Sequence, residues 1–137
     1  MAGYSGTPLA KKLGIKPGAS LALDEAPPGW AVPDLPDGVV PPADGEPADV
    51  VVAFFREAAE LPVRLPGLAR RIFPAGSLWL AWPRKAGGHV SDITENGLRD
   101  HALPLGIVDN KVAALDDDWS GLRLVWRLER RSGPPPG

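Results

Sequence analysis

The loop of residues 82–92, "WPRKAGGHVSD", carries the side chains of this sequence that are best suited to chemistry. Arg84 and Lys85 supply two cations, His89 supplies an imidazole, and Ser91 opens the helix predicted to follow. Cationic side chains and the N–H groups at a helix N-terminus both bind anions. The loop therefore indicates a site for a small anionic ligand. The alternative is a long crossover loop whose side chains are solvated.

A second group of polar residues lies in the stretch of residues 109–120, "DNKVAALDDDWS". Side chains alternate between the two faces of a strand, so Asp109 and Lys111 are predicted on one face and Asn110 on the other. The three aspartates that follow fit a turn, where an aspartate accepts hydrogen bonds from its own backbone. The stretch therefore predicts a hairpin. Four residues of this stretch are not needed to form a turn, so we keep them as binding candidates: Asp109, Asn110, Lys111 and Trp119.

The sequence assigns no catalytic residue and no metal ligand. It contains no cysteine, which excludes thiolate zinc sites, iron–sulfur clusters, disulfides and cysteine nucleophiles. The two histidines, His89 and His101, do not have a metal-site spacing to carboxylates. Ser77, Ser91 and Ser120 lack the context of a nucleophile elbow.

Apolar runs and helix breakers predict strands that alternate with helices. "ADVVVAFF" and "SLWLAW" indicate buried strands, because continuous apolar runs are expected when both faces of a sheet are covered. The segment between them predicts a helix interrupted near Pro62 and Pro66, since proline cannot donate to the helical ladder. A further helix is predicted from a cap at Ser91 or Asp92 to Gly106.

This order of elements predicts the fold class. Strands alternating with helices imply crossover connections and a mostly parallel sheet. The last two strands are too close in sequence for a crossover, so they form an antiparallel hairpin, and the period-two pattern of the last strand predicts a position near a sheet edge. The predicted fold is α/β: a single Rossmann-like three-layer domain, with a mostly parallel sheet that ends in an antiparallel C-terminal hairpin.

The domain is predicted to span residues 1–128. It would include a short N-terminal helix over residues 8–13 and a proline- and glycine-rich loop over residues 27–48. Residues 129–137 are polar and end in "GPPPG", which is typical of a flexible tail.

The order of strand, helix, strand, helix and closing hairpin resembles the C-terminal half of class I methyltransferases, over roughly residues 49–128. Methyltransferases and dinucleotide enzymes hold their cofactor on a glycine-rich turn after the first strand. Here that turn is "LDEAPPGW", where Gly29 stands behind two prolines that lack the N–H groups a phosphate needs. The sequence therefore predicts no cofactor.

Three blocks carry a resemblance over nearly the whole chain: "AGYSGTPLAKKLGIKPG", "WPRKAGGHVSDITE" and "GIVDNKVAALDDDWSGLRLV". They resemble a bacterial family known as domain of unknown function family 3052, from Tyr4 to about Leu128. The resemblance implies a small cytoplasmic protein, a basic pair at Arg84 and Lys85, and Asp-Asn-Lys at residues 109–111. It implies no activity and supplies no catalytic residue.

The net charge of −2 gives no electrostatic case for a nucleic-acid partner or an anionic membrane. The sequence has no apolar run long enough to span a bilayer, and its first residues contain no signal-peptide core. These features predict a cytoplasmic protein without a nucleic-acid or membrane partner.

Two functional hypotheses remain. The main one is a non-catalytic binding or regulatory module that recognises a protein partner or a small anionic ligand, with Trp30 and Trp119 as exposed anchors. The alternative is a divergent methyltransferase-like enzyme that binds S-adenosylmethionine or a nucleotide. Five residues would line its crevice: Asp24, Glu25, Arg84, Lys85 and His89.

Overall fold

The computed structural model describes residues 7–44 and 46–135, so predictions that fall on residues 1–6, 45 and 136–137 lie outside the described part. The strands are β1 (Leu21–Asp24), β2 (Val50–Phe54), β3 (Ser77–Pro83), β4 (Ile107–Ala114) and β5 (Trp119–Trp126). The α-helices are α1 (Leu9–Lys12), α2 (Leu61–Arg71), α3 (Glu95–Ala102) and α4 (Leu128–Arg131). Across the described residues, none of these helices is long and apolar enough to cross a membrane.

The five strands form one sheet in the order β1-β2-β3-β5-β4. β1, β2 and β3 pair in parallel, whereas β5 is antiparallel to both β3 and β4. The α/β class and the C-terminal hairpin are confirmed, but the sheet is mixed rather than mostly parallel. The predicted edge position of the last strand is also wrong, because β5 pairs with β3 and leaves β4 at the edge.

This topology gives the sheet two distinct edges. Because only β5 runs in the reverse direction, the other four strands end at one edge, which we call the carboxyl edge: Asp24, Phe54, Pro83 and Ala114. The opposite edge, where β1, β2 and β3 begin, is called the amino edge. Loops that follow different strands therefore meet at the carboxyl edge, where open α/β sheets bind ligands.

Buried side chains cover both faces of the sheet, as the continuous apolar runs predicted. One hydrophobic cluster joins the strands to α2 and α3, and a second joins them to α1 and to the segment around Val32. Two buried indoles tie the faces to their covering elements: Trp79 Nε1 donates to Leu13 O at 3.1 Å, and Trp126 Nε1 donates to Ala69 O at 2.9 Å. The elements that cover the sheet are therefore held by hydrogen bonds as well as by apolar contacts.

Helix α2 corrects the predicted interruption near its prolines. The helix runs from Leu61 to Arg71 with Pro66 inside it. Pro62 lies in the first turn, where its missing N–H would have no intrahelical partner in any case. The buried stripe that includes Leu65 and Leu68 holds the helix on the sheet and offsets the hydrogen bond lost at Pro66.

The cap of helix α3 is Thr94 rather than Ser91 or Asp92. The Thr94 hydroxyl accepts a hydrogen bond from Gly97 N at 3.0 Å. Asp92 instead accepts from Ala58 N at 2.7 Å, across the gap to the segment that precedes α2. Asp92 therefore caps the helical turn that begins at Ala58 rather than α3. The local sequence pattern could not predict this contact, because the two residues are far apart in the chain.

The C-terminal segment does not become irregular at Glu129. Helix α4 spans Leu128–Arg131, and Arg131 Nε donates to Trp126 O at 2.9 Å. The first residues assigned to the tail are therefore helical, and flexibility of the residues beyond them stays a prediction.

Gly121 tests the packing of β5 against its neighbours. A Cβ atom at this position would lie 2.9 Å from the Leu115 side chain and 3.0 Å from the Trp79 ring. Because both neighbours are fully buried, Gly121→Ala should lower the free energy of unfolding in urea by about 1–3 kcal/mol. The control is Gly67→Ala, in the interior of α2, where an added Cβ would make only an ordinary contact with the Arg70 side chain at 3.6 Å; it should raise stability by about 0.5–1 kcal/mol. Equal effects of the two substitutions would contradict the packing described here.

Candidate functional site

The turn between β4 and β5 organises the carboxyl edge. Asp116 Oδ1 accepts hydrogen bonds from the backbone N–H groups of Asp118 and Trp119, each at 2.8 Å. Asp116 Oδ2 accepts from Trp30 Nε1 at 2.9 Å. One carboxylate therefore shapes the turn and ties it to the loop that follows β1.

The loop that follows β3 is held on the same turn. Arg84 N donates to Asp118 O at 2.8 Å, and His89 Nε2 lies 2.9 Å from Asp118 Oδ1. A Cβ atom on Gly87 would lie 2.2 Å from the Asp117 carbonyl oxygen, so the close approach needs glycine here. The histidine and the aspartate are thus brought together by contacts between two backbones.

A cleft of about 400 Å³ opens beside this pair. Its walls come from the loops after four strands: Pro27, Arg56, Pro83, His89, Val90, Asp118 and Trp119. The Trp119 ring packs edge-on against Phe54 with centroids 4.9 Å apart, and the Arg56 guanidinium carbon lies 5.4 Å from the Trp119 ring centroid. The cleft therefore combines an aromatic wall held by the core with an exposed cation. We call it the Trp119 cleft.

A smaller cleft of about 260 Å³ lies next to the Trp119 cleft and shares Pro83 and His89 with it. Its remaining lining residues are Trp82, Lys85, Ser91, Ile93, Thr94, Glu95 and Ser120. We call it the Lys85 cleft. His89, whose side chain is 43% exposed, stands between the two clefts and is accessible from both.

An arginine network closes the neighbouring part of the carboxyl edge. The half-buried Arg64 guanidinium binds Asp24 Oδ2 at 2.5 Å, Phe54 O at 2.7 Å and Glu60 Oε1 at 2.7 Å. It also lies 3.9 Å from the centroid of the Phe55 ring. The Asp24 carboxylate is therefore paired with Arg64. This differs from the expectation that Asp24 lines a ligand-binding crevice.

Glu60 completes this network. Its second oxygen accepts from the backbone N–H groups of Arg56 and Glu57, each at 2.8 Å. Burial alone would raise the pKa of Glu60, but these hydrogen bonds and the Arg64 cation together hold it below the ordinary value of 4.5. The ionised carboxylate thus fixes the chain where it leaves β2.

The structure brings together half of the predicted site residues. Lys85, His89, Ser91 and Trp119 line the two adjoining clefts. Arg84 contributes its backbone N–H to the loop contact described above. Asp109, Asn110 and Lys111 lie on β4, the outer strand of the sheet, and line neither cleft. A ligand-binding role for each of these residues stays a prediction.

A β-bulge overturns the predicted faces of residues 109–111. Asp109 pairs with Leu124 and Lys111 pairs with Arg123, so one extra residue is inserted between them. Consequently Asp109 meets Arg99 of α3 at 3.0 Å, whereas Lys111 Nζ lies 3.4 Å from Lys12 O beside α1. The two side chains therefore lie on opposite faces, and they cannot act as one pair.

The predicted binding residues did not include Arg56 and Asp118, which line the Trp119 cleft, and Trp30, which does not line it, was placed wrongly. Arg56 follows β2, and the rule that ligands bind at strand carboxyl ends points to it. Asp118 was assigned to the turn alone, and its contact with His89 joins residues far apart in sequence. Trp30 was expected to be exposed, but its ring packs against Phe54 with centroids 4.8 Å apart.

The residues at the carboxyl edge differ in how well they suit a cofactor. In the turn after β1, Pro27 and Pro28 have no N–H, and the Trp30 ring covers the end of β2. That turn therefore does not fit a cofactor held in the usual way on a glycine-rich loop. The Trp119 cleft does fit a ligand with a flat ring and an anionic group, because Trp119 offers a ring face and Arg56 a guanidinium.

Among the residues described, no group of three or more histidine, aspartate or glutamate side chains could hold a metal ion.

Comparisons with known proteins identify the fold. No family model matches the chain, and no curated protein matches it in sequence, so the resemblance to the family of unknown function stays a prediction. Among solved structures, ribosomal protein L11 methylase from Lactobacillus delbrueckii subsp. bulgaricus matches with a TM-score of 0.52 and 12% identity, covering 87% of this chain and 75% of that chain. Magnesium protoporphyrin IX methyltransferase from Synechocystis PCC 6803, with bound SAM, matches with a TM-score of 0.51 and 9% identity, covering 87% and 74%. The chain therefore has a methyltransferase-like α/β fold.

These neighbours correct the main functional hypothesis. A non-catalytic binding module was expected, yet the two structures named are a methylase and a methyltransferase. The comparison agrees better with the alternative hypothesis, because the shared property is a methyltransferase-like fold. At this level of identity the likeness shows the fold alone.

The two histidines should show opposite tautomers when neutral. His89 Nε2 faces a carboxylate, which can only accept, whereas His101 Nδ1 lies 3.0 Å from the Gly97 carbonyl. A two-bond ¹H–¹⁵N correlation spectrum should therefore show His89 protonated at Nε2 and His101 protonated at Nδ1.

Substitutions in the turn provide the control for this assignment. Asp118→Ala should lower the share of the Nε2–H tautomer of His89 to that of a free histidine. The matched Asp117→Ala should retain the wild-type share, because the contact of Asp117 with the loop is made by its backbone carbonyl. Gly87→Ala should act like Asp118→Ala by forcing the loop away from the turn. Identical spectra for all three variants would rule out the His89–Asp118 contact.

The Glu60 network predicts a pH dependence of stability. Because the folded state lowers the pKa of Glu60, its contribution is present above about pH 4.5 and is lost as the pH falls through the lower folded value. Glu60→Gln should cost about 1 kcal/mol in urea unfolding at neutral pH, and the difference from the wild type should shrink in acid. Glu129→Gln, at an exposed position, is the control and should change little at either pH.

Proposed function

We propose that the chain is a divergent methyltransferase-like enzyme that binds S-adenosylmethionine or a nucleotide in the Trp119 cleft. The observation that carries the proposal is the position of this cleft at the carboxyl edge, beside a His89–Asp118 pair. Ligands of open α/β sheets bind at that edge. The three-layer, Rossmann-like organisation and a cytoplasmic location are parts of the same proposal.

Binding would depend on two walls of the cleft. The Trp119 ring is braced by Phe54, so it presents a rigid surface on which an adenine ring can stack. The Arg56 guanidinium would bind the carboxylate of S-adenosylmethionine or the phosphate of a nucleotide. Pro27 adds an apolar surface from the loop after β1 without offering an N–H group.

Proton transfer would be the task of His89. When bound, S-adenosylmethionine supplies an electrophilic methyl group. Asp118 would accept a hydrogen bond from the Nε2–H group of His89, which leaves a lone pair on Nδ1 that can take a proton from the nucleophile of an acceptor. The Asp118 carboxylate then stabilises the imidazolium that forms, as a buried aspartate does for histidine in hydrolases, although solvent screens this more exposed pair.

The acceptor would lie in the Lys85 cleft, on the other side of His89. Lys85 gives this cleft a cation, the Glu95 carboxylate on its wall is paired with Arg99 at 3.2 Å, and Ser91 and Thr94 line it with hydroxyl groups. These groups favour a small anionic acceptor, without a nucleic-acid or membrane partner. His89 would then stand between the methyl donor and the group that is methylated.

Binding measurements test the proposal at Arg56. Titration calorimetry with S-adenosylmethionine and with adenine nucleotides should detect binding, accompanied by a ligand-dependent rise in Tm. Arg56→Ala should weaken binding by roughly 10-fold to 100-fold, the loss expected for one hydrogen-bonded charge, without changing Tm in the absence of ligand.

The control is Arg71→Ala, since Arg71 is an exposed arginine of α2 that does not line the Trp119 cleft. It should bind each ligand like the wild type. If none of the ligands bound to the wild type, or if both variants lost affinity equally, the proposed site would be wrong.

A further inference from the structure

A separate cleft of about 340 Å³ opens at the amino edge of the sheet, on the face covered by α1. Lys16 and Asp49 line it from the segments that lead to β1 and β2, and Ser77 and Arg123 line it from β3 and β5. The other lining residues are small or apolar. We call it the Arg123 cleft, and it shares no residue with the two clefts of the carboxyl edge.

Arg123 is a cation without a counter-charge. Its side chain projects from β5, where the residue pairs with Trp79 of β3, and it is half-buried. Within residues 7–44 and 46–135, the guanidinium makes no hydrogen bond or ion pair. Burial lowers the pKa of Arg123, and the nearby Arg131 cation lowers it further. A partly buried charge without a partner is unfavourable, and an anion in the cleft would relieve this.

Ser77 places a hydroxyl group beside Arg123. The residue is only 3% exposed, and its hydroxyl, which makes no hydrogen bond to the described residues, is open to the cleft. Ser77 pairs with Val125 across β3 and β5, two residues from Arg123, so both side chains project from the same face of the sheet. The Ser77 hydroxyl is therefore available to donate a hydrogen bond to a ligand in the cleft.

The remaining charges of the cleft limit what it can hold. Lys16 is exposed at the mouth and adds a second positive charge. Asp49 is committed to the strand pair, because its Oδ2 accepts from Ser20 N at 2.9 Å and its own N donates to Ser20 Oγ at 2.9 Å. Its negative charge reduces the attraction for highly charged anions. The balance of two cations and one carboxylate therefore suits a ligand of one or two negative charges.

We propose that the Arg123 cleft binds the phosphate group of a small phosphorylated molecule. The planar guanidinium of Arg123 can donate two parallel hydrogen bonds to a phosphate, and the Ser77 hydroxyl can donate a third from beside it. Lys16 would close the site as a point charge. The volume of the cleft leaves room for the organic part of a phosphate monoester, and the site would work independently of the carboxyl edge.

The test uses ligands that lack a nucleobase, so that stacking on Trp119 does not contribute, and it follows the signals of the Arg123 cleft separately from those of the carboxyl edge. The full chain, labelled with ¹⁵N, is titrated with inorganic phosphate, with glycerol phosphate and with glycerol. Both phosphates should shift the amide signals of Ser77, Arg123 and the segment around Lys16, and glycerol should not. Tighter binding of glycerol phosphate would identify a phosphorylated molecule as the ligand, and equal affinities would identify the free ion.

Variants of one strand separate a built site from general charge. Arg123→Leu should weaken phosphate binding by about tenfold or more. It should also leave Tm without ligand equal or higher, since it removes a cation that has no partner. Arg127→Leu removes an exposed arginine from the same strand end and should leave Kd unchanged. Ser77→Ala, a smaller change, should weaken binding without unfolding the protein.

Two outcomes would overturn the proposal. The first is that neither phosphate shifts the signals of the cleft at millimolar concentration. The second is that Arg127→Leu weakens binding as much as Arg123→Leu does, which would show diffuse attraction to the amino edge.

Discussion

The carboxylate of Asp116 is the constraint on which the carboxyl edge depends. By accepting two backbone N–H groups of its own turn, it fixes the direction in which Asp118 and Trp119 leave the hairpin. Its other oxygen holds the Trp30 indole, so the loop after β1 is drawn onto the same turn. Since Asp118 in turn holds the loop that carries His89, three loops far apart in sequence share one anchor. The shape of the Trp119 cleft follows from this anchor rather than from any single strand.

The arginines of the two sheet edges differ in whether the fold supplies partners for their charge. Arg64 has every neighbour a buried guanidinium needs: two carboxylates, a carbonyl oxygen and an aromatic ring. Its charge is neutralised within the fold, so it stabilises the ends of β1 and β2 and is not available to a ligand. Arg123 is half-buried as well but has none of these partners among the described residues. The contrast between a paired and an unpaired arginine is therefore a physical ground for seeking a ligand at the amino edge.

Much of the fold could be predicted because its signals are local. The apolar runs of β2 and β3 and the short link between β4 and β5 are visible in a few consecutive residues. The errors arose where distant contacts outweigh local preference. Burial on the sheet carries α2 through Pro66, and pairing with β3 takes β5 away from the edge. The site was predictable to the same extent: the loop of His89 has a suggestive composition, but its contact with Asp118 depends on how two loops pack.

The position of Trp30 explains how a methyltransferase-like sheet can lack the glycine-rich turn and still have an open cleft at its carboxyl edge. Glycines let a backbone approach a ligand closely at the end of the first strand. Here that volume is filled by the Trp30 ring, which packs on Phe54 and is fixed by Asp116. The open volume instead lies beside Trp119, whose ring packs on the same Phe54. Two tryptophans on one phenylalanine thus divide the carboxyl edge into a closed part and an open part. Selectivity in the open part would then be set by the hairpin and the β3 loop, since these supply its aromatic wall and its histidine.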